Sequence, residues 1–182
     1  MLRARIIPCL LIRQGGLVKT EKFKNHKYVG DPINAVKIFN EKQADELMVL
    51  DIDATVNKRE PEYELIKNLA TECRMPLCYG GGISTVEQAK YIIGLGVEKI
   101  SISYAAIENP DIITGIAREI GSQSIVVVLD IKKEKSFFKE YYGIRSHNGF
   151  KTYKLDLIEF VKKIESAGAG EIIINSIDND GV

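Results

Sequence analysis

The sequence predicts an α/β fold in which parallel strands alternate with helices, and two observations support this prediction. First, short apolar runs recur, and most are uninterrupted, as in strands that are buried on both faces of a parallel sheet. Second, segments with the apolar spacing of amphipathic helices separate these runs. Such repetition indicates a (β/α) barrel or a doubly wound sheet. The six predicted strands cover residues 5–11, 46–51, 76–80, 99–103, 124–130 and 171–176.

The helical segments carry start signals of their own. The pairs at 31–32 and 109–110 are Asp-Pro and Asn-Pro, which place a capping side chain before a proline at the first helical position. Ser84 and Glu87 have the spacing of a capping box. Apolar spacing predicts further helices at 64–73 and 157–164.

Chain length and an internal repeat favour the barrel. A (β/α)8 barrel of ~250 residues uses about 31 residues per unit, so 182 residues hold about 5.9 units. Residues 44–53 resemble residues 169–178, four units apart, which a duplicated half-barrel explains and a doubly wound sheet does not. We therefore predict one domain over 1–182, a half-barrel-duplicated (β/α)8 TIM barrel with six of its eight strands. Its first half covers about 1–122, and its truncated second half starts near 123.

Composition excludes several classes of function. The chain has 25 Lys and Arg against 25 Asp and Glu, and this balance argues against nucleic acid as a partner. The sequence lacks the ~20-residue apolar run of a membrane span and a signal peptide, so we expect a cytoplasmic protein without a membrane partner. We expect Cys9, Cys73 and Cys78 to be buried, reduced thiols. With two histidines and no Cys/His cluster, the sequence argues against a zinc site. We expect no metal and no cofactor.

Two long segments interrupt the strand–helix pattern. Residues 12–30 are predicted to form a loop after strand one, containing Lys19. Residues 132–153 follow strand five and are predicted to form a small hairpin with a turn at 147–149. Long loops after barrel strands are common places for function.

A glycine-rich turn suggests a phosphate site at the carboxyl ends of the strands. Gly81 and Gly82 follow strand three and precede a helix, where backbone amides and the helix N-terminus favour an anion. Ser103 and Tyr104, at the end of strand four, could add donors. A bare turn is the alternative. The second half would offer an equivalent site near Gly181, and two such sites suggest a substrate with a phosphate at each end.

Carboxylates are concentrated at the same face. Asp130 ends an apolar strand, so desolvation would raise its pKa and suit proton transfer. A solvated loop acid is the alternative. For Asp53 and Asp178 the two interpretations stay equally open. Asp51 and Asp180 are assigned to substrate binding, together with Ser176.

Four charged residues occupy the opposite, amino ends of the strands. Arg5, Glu46, Lys99 and Glu171 begin strands one, two, four and six. Two cations and two anions around a barrel floor would form a closed ion-pair network, and residues at this end of the strands usually contribute to stability. The ring could also gate a passage along the barrel axis.

These residues together resemble the cyclase subunit of imidazole glycerol phosphate synthase, over all 182 residues. That family is a (β/α)8 barrel of the histidine-biosynthesis type. The resemblance rests on the runs at 5–10, 50–52, 80–83, 109–110, 121–123, 168–171 and 176–181, with Lys19 and Asp130.

The resemblance implies a function for both faces. A glutaminase, a class I glutamine amidotransferase, would bind the amino face as a heterodimer partner. Ammonia would pass the ring of Arg5, Glu46, Lys99 and Glu171 and reach a bis-phosphorylated ribonucleotide at the other face. Imidazole glycerol phosphate and an aminoimidazole carboxamide ribotide would result, a lyase-type synthase reaction. Lys19 would lie on the loop that closes over substrate.

The sequence departs from the family where the chemistry is expected. The family uses two aspartates at the ends of strands one and five, and Leu11 occupies the first of these positions while Asp130 occupies the second. Gln14 and Gly16 stand where the family more often has Asp and Arg. Residues 103–104 are Ser-Tyr in place of the usual Asn-Thr. An isobutyl group moves no proton, and losing such a group costs ~10²–10⁴-fold in rate.

The departures resemble a side branch of the family that occurs with surface-polysaccharide (lipopolysaccharide) genes. Its members are thought to pass ammonia to an N-acetylated sugar nucleotide and make an acetamidino group. We favour this branch, with a nucleotide-sugar substrate. The alternatives are a histidine-pathway cyclase, a non-catalytic partner that activates a glutaminase, and a sugar-phosphate isomerase of the related two-phosphate barrel family.

Overall fold

The computed structural model describes residues 4–135 and 140–181, and within them a single ten-stranded sheet organises the chain. Six strands run parallel in chain order, as the barrel prediction requires. They are β1 (Cys9–Arg13), β4 (Leu47–Asp51), β5 (Leu77–Gly80), β6 (Lys99–Ile102), β7 (Ile125–Lys135) and β10 (Glu171–Ser176). Four antiparallel strands extend the sheet: β2 (Gly16–Glu21), β3 (Lys24–Gly30), β8 (Glu140–Ser146) and β9 (Lys151–Tyr153).

The fold is of the (β/α)8 type with six parallel strands, and the barrel is open between β1 and β10 within the described residues. The helices that link the strands are α1 (Pro32–Glu41), α2 (Tyr63–Glu72), α3 (Val86–Gly94), α4 (Tyr104–Glu108), α5 (Asp111–Ile120) and α6 (Leu157–Ala167). Across residues 4–135 and 140–181, no helix has the length and apolar character needed to cross a bilayer.

Within the described residues, an apolar cluster lies on each face of the sheet, one against the helices and one inside the barrel. The larger cluster packs helix residues such as Val36, Ile66 and Ile116 against the strands, and all three are fully buried. The smaller cluster, which we call the inner apolar cluster, is Met48, Cys78, Val126 and Val128, with Ile7, Leu50 and Ile173 packed against it. Alternate residues of β4 and β7 therefore enter different clusters, which explains why these strands are apolar without interruption.

The prediction of three buried thiols is wrong for Cys9, which is exposed because it lines the cavity inside the open barrel. Cys73 is partly buried, and Cys78 is buried as predicted. None of the three forms a disulfide.

Two helix starts show how well the local signals work. Asp31 caps α1 as predicted, and its carboxylate accepts from Asn34 N at 2.9 Å. The capping box of α3 lies one residue later than predicted. Thr85 Oγ1 accepts from Gln88 N, and Gln88 Oε1 accepts from Thr85 N, each at 3.2 Å. Thr85 adopts the extended backbone that an N-cap requires, so the pair is Thr-Gln rather than Ser-Glu.

The predicted loop at 12–30 is wrong, because this segment forms a three-stranded meander of β1, β2 and β3. The connection between β1 and β2 is a two-residue turn, in which Gln14 and Gly15 have φ of 51° and 77°. Positive φ at both positions is the geometry of tight hairpin turns. Leu17 and Thr20 are buried, so part of β2 belongs to the packed structure.

Strand five is longer than predicted, because β7 continues past the barrel edge and pairs with β8. The turn predicted at 147–149 connects β8 with β9, as expected. Part of the predicted hairpin, residues 136–139, lies outside the described residues. The extended β7 places the turn at 147–149 above the carboxyl ends of the parallel strands.

Candidate functional site

A cavity of about 910 Å³ occupies the inside of the open barrel and reaches both of its ends. Its lining includes Arg5 at the amino ends of the strands and Asp130 at their carboxyl ends. Between them lie side chains of the inner apolar cluster, including Met48 and Val128. The cavity therefore connects the two faces to which the sequence assigned chemistry.

Asp130 lies in the cavity as a partly buried carboxyl group. Its Oδ1 accepts from Asn175 Nδ2 at 3.0 Å, across the β7–β10 pair. Burial raises the pKa of Asp130 to about 6, Asp180 adds to this effect, and the Asn175 hydrogen bond opposes it. Asp130 can therefore carry a proton near neutral pH and deliver it to a reacting oxygen.

Leu11 lines the same cavity as Asp130. It lies within β1, paired with Leu50 on one side and Val18 on the other, rather than at the strand end that the sequence suggested. The strand continues to Arg13 because it takes part in the hairpin. An apolar side chain thus lines the cavity at the position where the resemblance expects a second carboxylate.

Gly81 and Gly82 line the cavity, and their lack of a side chain is needed for packing. A Cβ on Gly81 would lie 2.5 Å from the carbonyl oxygen of Asp51, and one on Gly82 would lie 2.6 Å from that of Arg59. Both glycines have positive φ, 123° and 73°. Glycine is therefore required at both positions for this turn to pack against the end of β4 and the segment that follows it, whether or not an anion binds there.

The start of α3 also lines the cavity through Ser84, Thr85 and Gln88. The amides of Ser84 and Thr85 already donate to Gln88 Oε1, and the amide of Gln88 donates to Thr85. An anion at this helix end would therefore use other donors. Ser103 and Tyr104, which precede and begin α4, lie in the same lining.

The remaining predicted carboxylates organise loops. Asp51 is buried, and its Oδ1 accepts from the amides of Asp53 and Ala54 at 2.9 and 3.0 Å. Arg59 pairs with Asp51 at 3.4 Å, and Asp53 pairs with Arg13 at 3.3 Å. These two carboxylates shape the segment that follows β4.

Two carboxylates after β10 act in the same way. Asp180 Oδ2 accepts from Thr20 Oγ1 at 2.7 Å and from Phe23 N at 2.9 Å, which fixes the β2–β3 hairpin to the end of the last strand. Asp178 accepts from Lys133 N at 2.7 Å. Asp180 also lines the cavity, whereas Asp178 does not.

Three residues that the sequence assigned to the carboxyl face lie outside the cavity lining, as do Glu46, Lys99 and Glu171 of the amino face. Lys19 is exposed on β2, Ser176 accepts a hydrogen bond from Asn179, and Gly181 packs against the backbone of the hairpin. A Cβ on Gly181 would lie 2.1 Å from the carbonyl oxygen of Thr20.

Several polar residues of the lining were missed by the sequence analysis. They are His26, Lys58, Arg59, His147, Asn148 and Asn175. Position along the chain could have pointed to the two histidines, because each lies in one of the two long segments that interrupt the strand–helix pattern. From the sequence, the two histidines argued only against a metal site, and His147 was predicted only as part of a turn.

The four charged residues at the amino face form a closed ring. Arg5 donates to Glu46 at 2.8 Å and to Glu171 at 2.9 Å, and Lys99 donates to the same two carboxylates at 2.8 Å each. Burial opposes the charge on Lys99, but its hydrogen bonds to Glu171 and Glu46 raise its pKa overall. The hydrogen bond between Arg5 and Glu171 likewise raises the pKa of Arg5. Each cation thus contacts both anions.

Comparisons with known proteins agree with this architecture. A family model described as "Histidine biosynthesis protein" matches residues 5–182. A Vibrio vulnificus (strain YJ016) protein provisionally named imidazole glycerol phosphate synthase subunit hisF3 is 62% identical over 182 residues, covering 100% of this chain and 69% of the relative. A Leptospira interrogans protein with the provisional name imidazole glycerol phosphate synthase subunit HisF is 54% identical over 182 residues, 100% of this chain and 71% of the relative.

A more distant relative carries the same name without qualification. The imidazole glycerol phosphate synthase subunit HisF of Pyrococcus furiosus (strain ATCC 43587 / DSM 3638 / JCM 8422 / Vc1) is 43% identical over 181 residues, 100% of this chain and 70% of the relative. The family match, the sequence identities to these relatives and the architecture of six parallel strands agree with one another. The chain belongs to the imidazole glycerol phosphate synthase cyclase family, among the histidine biosynthesis proteins, and is an enzyme subunit of that family.

Proposed function

We propose that this protein uses ammonia, released by a glutaminase partner at the amino face, to aminate a phosphorylated acceptor held at the carboxyl face. The acceptor that we favour is an acetamido sugar nucleotide of surface-polysaccharide biosynthesis. The observation that carries this choice is the difference between the two faces. The charged ring is complete, whereas the carboxyl face has Leu11 where the family's second carboxylate is expected.

The amino face supports the delivery of ammonia. Ammonia is small and neutral, so it can pass a ring of paired charges that would hold back ions. Arg5 belongs to both the ring and the cavity lining, and the inner apolar cluster of Met48, Cys78, Val126 and Val128 follows along the barrel axis. Such an apolar interior would keep the nitrogen unprotonated until it reaches the acceptor.

The carboxyl face supports a carbonyl acceptor. Asp130, whose pKa burial raises to about 6, would protonate the carbonyl oxygen as ammonia adds to the carbon. Gly81, Gly82, Ser103 and Tyr104 would hold the phosphate groups of the acceptor, and Lys19 would approach when the β2–β3 hairpin moves.

Sequence identities are consistent with a separate branch. The chain is 62% and 54% identical to the two relatives with provisional names and 43% identical to the HisF subunit of Pyrococcus furiosus. The second candidate function is formation of imidazole glycerol phosphate, favoured by the names of all three relatives.

A turnover assay with ammonium chloride in place of the glutaminase tests the proposal. The intact protein is given either the bis-phosphorylated ribonucleotide of the histidine pathway or acetamido sugar nucleotides, with and without a nucleoside triphosphate. We expect nitrogen transfer to a sugar nucleotide, detected by mass with ¹⁵N-ammonium. Imidazole formation at ordinary rates would establish the second candidate instead. Activation of a glutaminase without any transfer would establish a non-catalytic partner.

The variant Leu11→Asp tests the role of the missing carboxylate. If Leu11 is the reason that cyclase chemistry is slow, the variant should gain imidazole-forming activity by ~10²-fold or more, and Leu11→Asn should not. The asparagine has similar size and polarity but cannot transfer a proton as a carboxylate does. Equal rates in both variants would contradict this assignment.

The variant Lys99→Met tests ammonia passage. It should retain turnover with added ammonium chloride and lose most glutamine-dependent turnover in the presence of the glutaminase. The matched control is Lys90→Met, which removes an exposed lysine of α3 that pairs with Glu119. This variant should retain both the ammonium-dependent and the glutamine-dependent turnover. Equal loss of both activities in Lys99→Met would assign the ring to stability alone.

A further inference from the structure

A chain of hydrogen bonds leads from the protein surface to the imidazole of His147, which lines the cavity. Ser146 Oγ lies 2.9 Å from His147 Nδ1 and 3.1 Å from Tyr153 Oη. Tyr153 Oη donates to Glu108 Oε1 at 3.0 Å. Because these groups come from α4, β8, β9 and the turn after β8, the tertiary structure brings them together.

Glu108 sets the direction of every hydrogen bond in this chain. Lys151 Nζ donates to Glu108 Oε1 at 2.7 Å, and hydrogen bonds from Lys151 and Tyr153 lower the pKa of Glu108. The carboxylate is therefore ionised and can only accept. Tyr153 donates its hydroxyl proton to Glu108 and accepts from Ser146, which in turn accepts from His147. Nδ1 of His147 then carries the proton, and Nε2 is the basic nitrogen of the ring.

Further contacts hold the imidazole in place. The ring of His147 lies 4.5 Å from that of Tyr104, edge to face at 85°. Lys151 Nζ lies 5.0 Å from the centroid of the Tyr104 ring and 5.1 Å from that of Tyr153. His147 and Asn148 have φ of 53° and 55°, a left-handed conformation that His and Asn tolerate better than most residues. Conformations of this kind concentrate at functional sites.

We infer that His147 is an acid–base residue of the carboxyl face and accepts the proton that no carboxylate at position 11 can accept. This inference rests on the proposed function. The lone pair of ammonia forms the new C–N bond while the π pair of the carbonyl group moves onto oxygen. One N–H proton passes to His147 Nε2, and the carboxyl proton of Asp130 passes to the oxygen. The adduct is neutral, beside an imidazolium and a carboxylate.

The same arrangement assigns Glu108, Tyr153 and Ser146 as positioning residues. They fix the tautomer of His147 and, through the ionised carboxylate, stabilise the imidazolium that forms. A carboxylate that orients a histidine through its Nδ1 proton performs this task in other enzymes. Here a tyrosine and a serine transmit the effect.

Nuclear magnetic resonance of the intact protein labelled with ¹⁵N-histidine tests the positioning step without any substrate. The chain has two histidines, so the variant His26→Gln assigns the spectrum. We expect the Nδ1–H tautomer for His147, and a shift toward Nε2–H in Tyr153→Phe, where Ser146 no longer donates to the tyrosine oxygen. Tyr141→Phe removes another tyrosine–glutamate bond, to Glu134, and should change nothing. An Nε2–H tautomer in the wild type would overturn the inference.

Ammonia-dependent turnover tests the catalytic step. His147→Gln should lower kcat ~100-fold, and Tyr153→Phe, which keeps the imidazole, should lower it ~10-fold. Phe150→Ala, in the same turn with a side chain that is 84% exposed, is the matched control and should retain kcat. An unchanged kcat in His147→Gln, with wild-type turnover present, overturns this inference alone. Absence of wild-type turnover with every acceptor overturns the proposed function and the role of His147 with it.

Discussion

The two ends of the barrel use charge in opposite ways. At the amino ends of the strands, each of the four charged side chains contacts two partners of opposite sign, so the ring is balanced. At the carboxyl ends, Asp130 has an amide rather than a cation as its hydrogen-bond partner, and Leu11 lines the same cavity. The comparison teaches that a compensated set of charges stabilises the fold, whereas an uncompensated carboxyl group is available for proton transfer.

Removing one anion of the ring should have the largest effect on stability. Glu46 is 2% exposed and accepts from Arg5 and Lys99. Glu46→Gln leaves the ring with two cations and one anion and removes the charge of its most buried member, so the free energy of unfolding should fall by ~3 kcal/mol. Urea unfolding at neutral pH measures this change.

An exposed ion pair provides the control for the ring. Glu119 pairs with Lys90 at the same N–O distance, 2.8 Å, but both side chains face solvent. Glu119→Gln should therefore change the free energy of unfolding by less than ~1 kcal/mol. If the two variants lose equal stability, burial is not what makes the ring strong.

Asp130→Asn should have the next largest effect, and it should stabilise the protein. The pKa of Asp130 is about 6 when folded, against an ordinary 3.8, so the folded state holds this proton more tightly. Wild-type stability therefore falls as pH rises from about 4 through 6, and the penalty becomes constant above about pH 7. We expect the variant to gain ~2–3 kcal/mol at pH 8 and little at pH 4, since each pKa unit corresponds to ~1.4 kcal/mol. A stability difference that does not change with pH would contradict the uncompensated state of Asp130.

Thr20→Val should have the smallest effect, and a local one. The variant keeps the shape of a buried side chain and removes the hydrogen bond to Asp180. We expect a loss of ~1 kcal/mol in the free energy of unfolding, together with faster amide hydrogen exchange in β2 and β3. Asn179→Ala, which removes an exposed hydrogen bond to Ser176 in the segment after β10, should leave exchange in the hairpin unchanged. Slower exchange in Thr20→Val would show that Asp180 does not hold the hairpin.

Local sequence determined most of the secondary structure, because each strand and helix carries its own pattern. The apolar run at 171–176 coincides with β10, and Asp31 caps α1 through its own side chain. The structure of the two long segments, 12–30 and 132–153, was harder to predict from the sequence. Tight turns at positive φ, such as Gln14-Gly15, change a predicted loop into strands, and only pairing with β1 shows this.

The site divides in the same way. The order of residues along parallel strands was enough to place Asp130 at the carboxyl ends and the four ring residues at the amino ends, since strand direction fixes which ends meet. The apolar Leu11 could also be read directly from the chain. The tertiary structure alone decided that Asp51 and Asp180 hold loops, and that Glu108, Tyr153 and Ser146 lead to His147. Hydrogen bonds between residues 7 to 160 positions apart depend on how the elements pack, which no local pattern records.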